Sequence, residues 1–255
     1  MKKSIVIIAA LFFASFSYAQ EYKLAKSTGK IIINLSKATV EGYGGNEILI
    51  TSSDKQSEND ERAKGLRVIN GSGLEDNTGL GINVADKGNT VEVKQVSKNN
   101  SGTITIKVPK GMSITYNYDK VMDHGKIKLK NIESEIEVSV QYNSVELDNV
   151  TGPLTIKTVY GSVDAEFGAN IKGPISIVSV YGHADVTMPT TTKANVSLYA
   201  PYGEILAAAD FKIEVEKVAG DMLSYTNDKV KGKLNGGGLD LSIKCSYGKI
   251  YLRKK

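Results

Sequence analysis

The 255-residue chain holds one cysteine, Cys245, and two histidines, His124 and His183. A single cysteine excludes an internal disulfide framework and any paired-cysteine metal or redox motif. Cys245 shares the parity of Leu241 and Ile243, which makes it a small buried hydrophobe. No serine–histidine–aspartate elbow and no phosphate-binding glycine loop is present, so the chain gives no catalytic signature. The basic residues are scattered along the sequence and the formal charge is only +4, so a nucleic-acid partner is not expected. Beyond the N-terminus no apolar run is long enough to cross a bilayer as a helix.

The first 19 residues read as an export signal. Lys2 and Lys3 form a basic n-region, Ser4 to Phe16 an apolar h-region, and Ser17 and Ala19 place small residues at −3 and −1. Cleavage after Ala19 lowers the formal charge from +4 to +2. No cysteine follows the cut, so lipid attachment to a new N-terminal cysteine is excluded. The expected location is extracytoplasmic: periplasm, outer surface or secreted, with no transmembrane segment after cleavage.

What the chain does have is a repeat. Tyr160-Gly161, Tyr181-Gly182, Tyr202-Gly203 and Tyr247-Gly248 are each followed by apolar residues two and four places after the glycine. Degenerate copies stand at His124-Gly125, Tyr142-Asn143 and Tyr225-Thr226. Counted from the glycine or its substitute, position +2 is Ile127, Val145, Val163, Ala184, Ile205 and Ile250, and position +4 is Leu129, Leu147, Ala165, Val186, Ala207 and Leu252. Position +1 is polar in every one of these copies. Residues two apart share a face of a strand, so +2 and +4 point inward while +1 and +3 point outward. The Thr226 copy has Asp228 at +2 and reads as a distorted coil.

Two neighbouring copies match further. Gly152-Pro153 leads to Tyr160-Gly161 as Gly173-Pro174 leads to Tyr181-Gly182, with the same proline-to-tyrosine distance. Each unit is two short strands with a Gly-Pro corner and a Tyr-Gly corner. Glycine suits a corner because it tolerates positive φ. The expected fold is all-β: a single-stranded parallel β-solenoid, β-helix-like, with short coils of about 18–23 residues. An antiparallel meander of hairpins is the competing arrangement. The expected divisions are a signal peptide at 1–19, an N-terminal β region or cap with irregular coils at 20–102, and the repeats at 103–255. In the second of these, 31–34, 47–50, 79–84 and 90–95 read as strands, and the charged stretch 54–64 reads as a loop. Ala207–Phe211 is at most a short turn.

The chain resembles the bacterial putative adhesins with β-strand repeats, a domain-of-unknown-function family. The residues that carry the likeness are Thr103-Ile104-Thr105-Ile106-Lys107-Val108-Pro109, Leu129-Lys130-Asn131-Ile132, Leu147-Asp148-Asn149-Val150-Thr151-Gly152 and the Tyr-Gly-x-apolar copies. The family's usual Ser-Gly-Asp corner is here mainly Tyr-Gly-x. The resemblance implies a solenoid-like β fold, an envelope or surface location and no catalytic residues. It also implies a role in envelope-stress sensing as an alternative, because some relatives are linked to it.

Two groups of residues are candidate sites. Tyr142, Tyr160, Tyr181, Tyr202, Tyr225 and Tyr247 would form a ladder of rings along one corner, a platform for sugar rings or for a partner protein. Ser162, Asp164, His183, Asp185 and Glu204 fall at +1 or +3 on consecutive coils and would form an outward polar cluster. Stacking Asp164 on Asp185 places like charges together, and a histidine among three carboxylates has the chemistry of a divalent-metal ligand or a general base. A solvated polar face is the simpler reading, and no metal or cofactor is expected. Asn235-Gly236-Gly237-Gly238-Leu239-Asp240 is similar to a calcium-binding β-roll repeat. It lacks the first glycine, has Ser242 where an apolar residue is needed, and occurs once. The expected function is a non-catalytic, exported envelope or surface interaction module binding a glycan or a surface protein. The alternatives are an ectodomain component of stress sensing and a polysaccharide lyase or hydrolase built on a β-helix.

Overall fold

The computed structural model describes residues 21–53, 61–63, 65–97, 102–121, 125–216 and 229–255. The predicted leader, His124 and Tyr225 lie outside these residues, as does most of the charged stretch 54–64. Within them the chain forms two large sheets, one of 10 and one of 11 strands. Each repeat gives one strand to each sheet, and the pair makes one rung. The Tyr142 rung is Ile136–Val140 and Ser144–Val150. The Tyr160 rung is Leu154–Thr158 and Val163–Phe167, and the Tyr181 rung is Ile175–Ser179 and Ala184–Met188.

Pairing between these rungs is parallel and in register, with Val145 on Val163 on Ala184 and Val138 on Ile156 on Ile177. Parity then decides which side chains meet. Ile127, Val145, Val163, Ala184 and Ile250 are fully buried, as are Ile156, Ile177 and Ile243 on the facing sheet, and all belong to one continuous core. Each Val or Ile withdrawn from water contributes on the order of 2 kcal/mol. Ile205 is only half-buried and Ala207 is exposed, because their strand lies at the rim of its sheet.

The rungs do not stack in sequence order. The C-terminal rung, Leu239–Cys245 with Ile250–Lys254, inserts between the Tyr181 rung and the Tyr202 rung, Ala194–Tyr199 with Ile205–Ala207. A similar inversion occurs at the other end. Thr28–Asn34 and Ala38–Tyr43 lie between the rung of Gly111–Tyr118 with Lys126–Lys130 and the rung of Thr90–Gln95 with Ile104–Pro109.

The uniform, single-stranded parallel solenoid read from the repeat is therefore corrected to an all-β fold with two mixed sheets. Antiparallel pairs close both ends: Glu21–Leu24, Ile48–Ser52 and Ile82–Lys87 at one, Lys229–Leu234 and Ile213–Val215 at the other. Among the described residues only Ile82–Lys87 with Thr90–Gln95 is a tight hairpin; the other reversed pairs join strands further apart in sequence and end the parallel stack. The expected turn after residue 207 is present, and Asn235, Gly236 and Gly237 form a left-handed turn with φ of 51°, 83° and 87°.

The Tyr-Gly corner has a different cause from the one its composition indicates. Gly161, Gly182, Gly203 and Gly248 are not among the positive-φ residues. A Cβ at these positions would stand 1.9, 2.2, 1.8 and 2.0 Å from the carbonyl oxygen of the corner residue on the neighbouring rung. Close approach of stacked backbones selects glycine here. Asn143, the exception, turns its fully buried side chain down the column and donates to Ser36 O at 2.6 Å and Gly125 O at 3.0 Å.

A second ladder runs inside the same corner, two residues before each tyrosine. Thr158 Oγ1 donates to Asn143 O and Ser179 Oγ to Gly161 O, both at 3.0 Å, and Cys245 Sγ donates to Gly182 O at 2.8 Å. All three side chains are fully buried. Cys245 is thus a structural donor equivalent to serine, and burial pushes its thiol pKa up.

Two outcomes follow for stability. Gly161→Ala or Gly182→Ala should cost about 1–3 kcal/mol in urea denaturation. Gly71→Ala, where an added Cβ meets nothing within 4 Å, should change it by less than about 0.5 kcal/mol. Cys245→Ser should keep its bond and stay within about 1 kcal/mol of the parent, while Cys245→Ala loses the donor and falls further. A thiol reagent added to the native protein should label Cys245 only as fast as the protein unfolds.

Candidate functional site

The rung spacing aligns the tyrosines along the corner. Tyr142, Tyr160, Tyr181, Tyr247 and Tyr202 stack in that order, with ring centroids 5.0, 5.0, 4.9 and 5.0 Å apart and planes within 10° of parallel. The expected neighbour of Tyr181 was Tyr202; the inserted C-terminal rung puts Tyr247 between them. Tyr160, Tyr181 and Tyr247 are 55, 53 and 53% exposed, and Tyr202, at the end of the stack, is 72% exposed. The gap of nearly 20 points is one ring face. Inside the ladder each face is covered by the next ring, so solvent sees ring edges and phenol hydroxyls. A sugar stacking flat on these faces, as the sequence suggested, finds room at the Tyr202 end of the ladder. The exposed edges carry the positive rim of the aromatic quadrupole, and the hydroxyls donate, so the flank favours electronegative groups.

The outward cluster comes together only in part. Asp164 and Asp185 are register partners, as expected. Their repulsion is relieved by protein groups. His183 Nε2 lies 2.8 Å from Asp164 Oδ1, and Arg253 Nε donates to both carboxylate oxygens of Asp185 at 2.8 and 2.9 Å. Ser162 is engaged by backbone, its Oγ accepting from His183 N at 3.2 Å. Glu204 does not join them. Lys249 of the inserted rung stands between His183 and Glu204 and pairs with Glu204 at 2.6 Å. That ion pair lowers the Glu204 pKa and raises that of Lys249. Among the described residues no group of three or more His, Cys, Asp or Glu side chains is arranged to hold a metal ion.

The same face continues as a lattice of ion pairs. Lys126 and Lys128 reach Glu146 at 2.9 and 3.3 Å, the second of these being the expected Lys128–Glu146 stack, and Lys130 reaches Asp148 at 3.6 Å. Lys255 reaches Glu166 at 2.8 Å.

Three features escaped the sequence reading. Tyr116 is fully buried, and its hydroxyl donates to Leu35 O at 2.8 Å. Asp76 gathers four donors, from the Thr78 amide and hydroxyl and the Gly79 and Gly81 amides, all at 2.9 Å, and so shapes the turn expected to be strand at 79–81. Asn131 and Asn149 each adopt φ of 54°, and Asn149 Nδ2 donates to Asn131 Oδ1 at 2.8 Å, closing two successive corners. An Asp or Asn before a run of glycines, and an Asn after a Leu-Lys or Leu-Asp pair, were the available signals.

No family model matches the chain, and no curated protein matches it at a significant level. Three solved structures are similar in shape. One is a "putative cell adhesion protein" from Clostridium sporogenes, at 14% identity and a TM-score of 0.46, covering 93% of this chain and 100% of the other. A "putative adhesin" from Bacteroides fragilis matches at 13% identity and 0.33, covering 91% and 95%. A "putative lipid binding protein" from Parabacteroides distasonis matches at 10% and 0.24, covering 94% and 98%. No helix among the described residues is long and apolar enough to cross a membrane.

Glu146 sets a pH response for this face. Its hydrogen bond to Lys126, aided by Lys128 and opposed by burial, holds its carboxyl below the usual value of 4.5. A depressed folded-state pKa gives stability that is present above the unfolded value and lost as pH falls through the folded one. Glu146→Gln should therefore lower the unfolding free energy measured by urea denaturation at neutral pH by at most about 1 kcal/mol. The two proteins should converge as pH falls below 4.5 and through the depressed folded-state value.

Proposed function

We propose that this chain is a non-catalytic interaction module, exported to the envelope or cell surface, whose stacked and centrally solenoid-like rungs hold a tyrosine flank for a glycan or surface-protein partner. The observation that carries the reading is the ladder from Tyr142 to Tyr202. Tyr160, Tyr181, Tyr247 and Tyr202 stay exposed although the +2 and +4 side chains of the Tyr142, Tyr160, Tyr181 and Tyr247 rungs are buried. Stacking stabilises each ring pair by about 0.5–1.5 kcal/mol and fixes the hydroxyls on a rigid row. A rigid aromatic row loses little entropy on binding, which is the property that makes tyrosine effective at interfaces. Ion pairing of Asp185 with Arg253 and of Glu204 with Lys249 keeps two of the three carboxylates of that outward cluster engaged by cations, which supports a binding role over a two-carboxylate hydrolysis.

The test uses two variants of the full mature chain on an array of glycans and matrix proteins. Replacing Tyr160, Tyr181 and Tyr247 together by serine should abolish attachment. Replacing the same three by phenylalanine keeps the stack and the melting temperature while removing the hydroxyls, and should weaken attachment by about ten-fold. Attachment by both variants at the parent level would reject the flank.

A further inference from the structure

Near the tyrosine corner the two outward sheet faces differ in how their charges are paired. On the face that carries His183, the carboxylates of Glu146, Asp148, Glu166, Asp185 and Glu204 each have a lysine or arginine partner, and Asp164 is engaged by the His183 ring. The opposite face, just before the tyrosine corner, is built otherwise. Register places Lys157, Val178, Lys244, Tyr199 and Lys229 side by side on consecutive strands. The lysines are exposed, and among the described residues none of the three has a carboxylate within ion-pair distance. Lys244 Nζ sits 5.5 Å from the Tyr199 ring centroid, which holds the ammonium in the row. Lys231, one row across, is bonded through its backbone to Glu216 and so has an acid beside it. The row parallel to the lysines on the other three strands is Ser176, Ser242 and Ser197, which supplies hydroxyls and no charge.

Lysine therefore occupies every second strand, at about 10 Å intervals, twice the inter-strand spacing. The strands between present Val178 and Tyr199, an aliphatic and an aromatic surface. One strand spacing is close to the rise of one extended β-linked pyranose. Three residues on from Lys157 and Lys244 stand Tyr160 and Tyr247 of the ladder, whose positive edges and hydroxyls also favour oxygen-rich groups.

We infer that this face binds a linear acidic glycan lying along the stack, with a carboxylate on alternate sugars facing Lys157, Lys244 and Lys229 and the neutral sugars between them on Val178 and Tyr199. This rests on the interaction-module reading and names its ligand class. The partner is identified by charge complementarity and by the alternation of the row, not by a total charge, since the chain as a whole is only weakly basic.

The experiment measures binding of the mature chain to oligomers of alternating glucuronate and N-acetylglucosamine, to the same oligomers with their carboxyls reduced to alcohols, and to inorganic polyphosphate. The acidic glycan should bind. The reduced glycan, and the acidic glycan on a Lys157→Gln/Lys244→Gln protein of unchanged melting temperature, should each bind about ten-fold or more weakly. Polyphosphate should bind less well than the acidic glycan. Equal binding of the reduced glycan, equal binding by the lysine variant, or tighter binding of polyphosphate would overturn the inference. Failure to bind any acidic glycan, with tyrosine-dependent attachment to another array ligand, would overturn this inference and leave the interaction module standing. Attachment indifferent to both the tyrosine and the lysine variants would overturn both.

Discussion

Hydrogen bonding between parallel strands holds neighbouring rungs about 4.8 Å apart, and at the tyrosine corner that distance leaves no room for a side chain on the backbone. The carbonyl oxygen of each corner lies close to where the Cβ of the next would be, about half of a normal contact separation in the tightest case. Glycine follows from this, and so does the position of the tyrosine before it. With the backbone fixed by contact on both sides, the ring has one repeat distance available to it, and the centroids settle 4.9–5.0 Å apart. Thr158, Ser179 and Cys245 then close the corner from inside by donating to those same carbonyls. The exposed ladder is the outer side of a tightly packed seam.

Because every rung presents the same repeat, the rungs are interchangeable in local terms. Val163, Val186 and Ile250 would pack equally well on several neighbours. Insertion of the C-terminal rung brings Arg253 to Asp185 and Lys249 to Glu204, so two of the three acids that the linear repeat would crowd together are each matched with a base, while Asp164 keeps His183 of the next rung. The same insertion puts Lys244 two strands from Lys157, and residues that look scattered along the chain fall into a single row.

Much of this was legible in the sequence. Parity at +2 and +4 identified Val145, Val163, Val186 and Leu252 as core, and the strands at 31–34 and 90–95 are present. Stacking of Asp164 on Asp185, and of Lys128 on Glu146, followed from in-register pairing. The neighbour of Tyr181 was not legible, since nothing within one repeat records which other repeat will lie on it. The same blindness misplaced Glu204 beside His183. Nor could composition separate the two reasons for a corner glycine, positive φ and close approach, because both exclude a Cβ. At Gly236 the first holds, with φ of 83° and open space around it; at Gly161 the second does. Tyr225 and His124, which complete the repeat in sequence, lie outside the described residues.

The end of the stack carries the last consequence of that order. The Tyr202 rung touches the Tyr181 rung only through the C-terminal one: Tyr202 stacks on Tyr247, Ile205 pairs with Ile250 and Val196 with Leu241. The final strand is thus held on both sides, whereas Ile205 and Leu206, earlier in the chain, face the rim. Unpaired strand edges invite association with other chains. The edge strands at this end are the three-residue Ile205–Ala207 and Ile213–Val215, short enough to offer few free backbone groups. The flank that remains open is the lateral one, where the tyrosine edges and the unpaired lysines lie side by side.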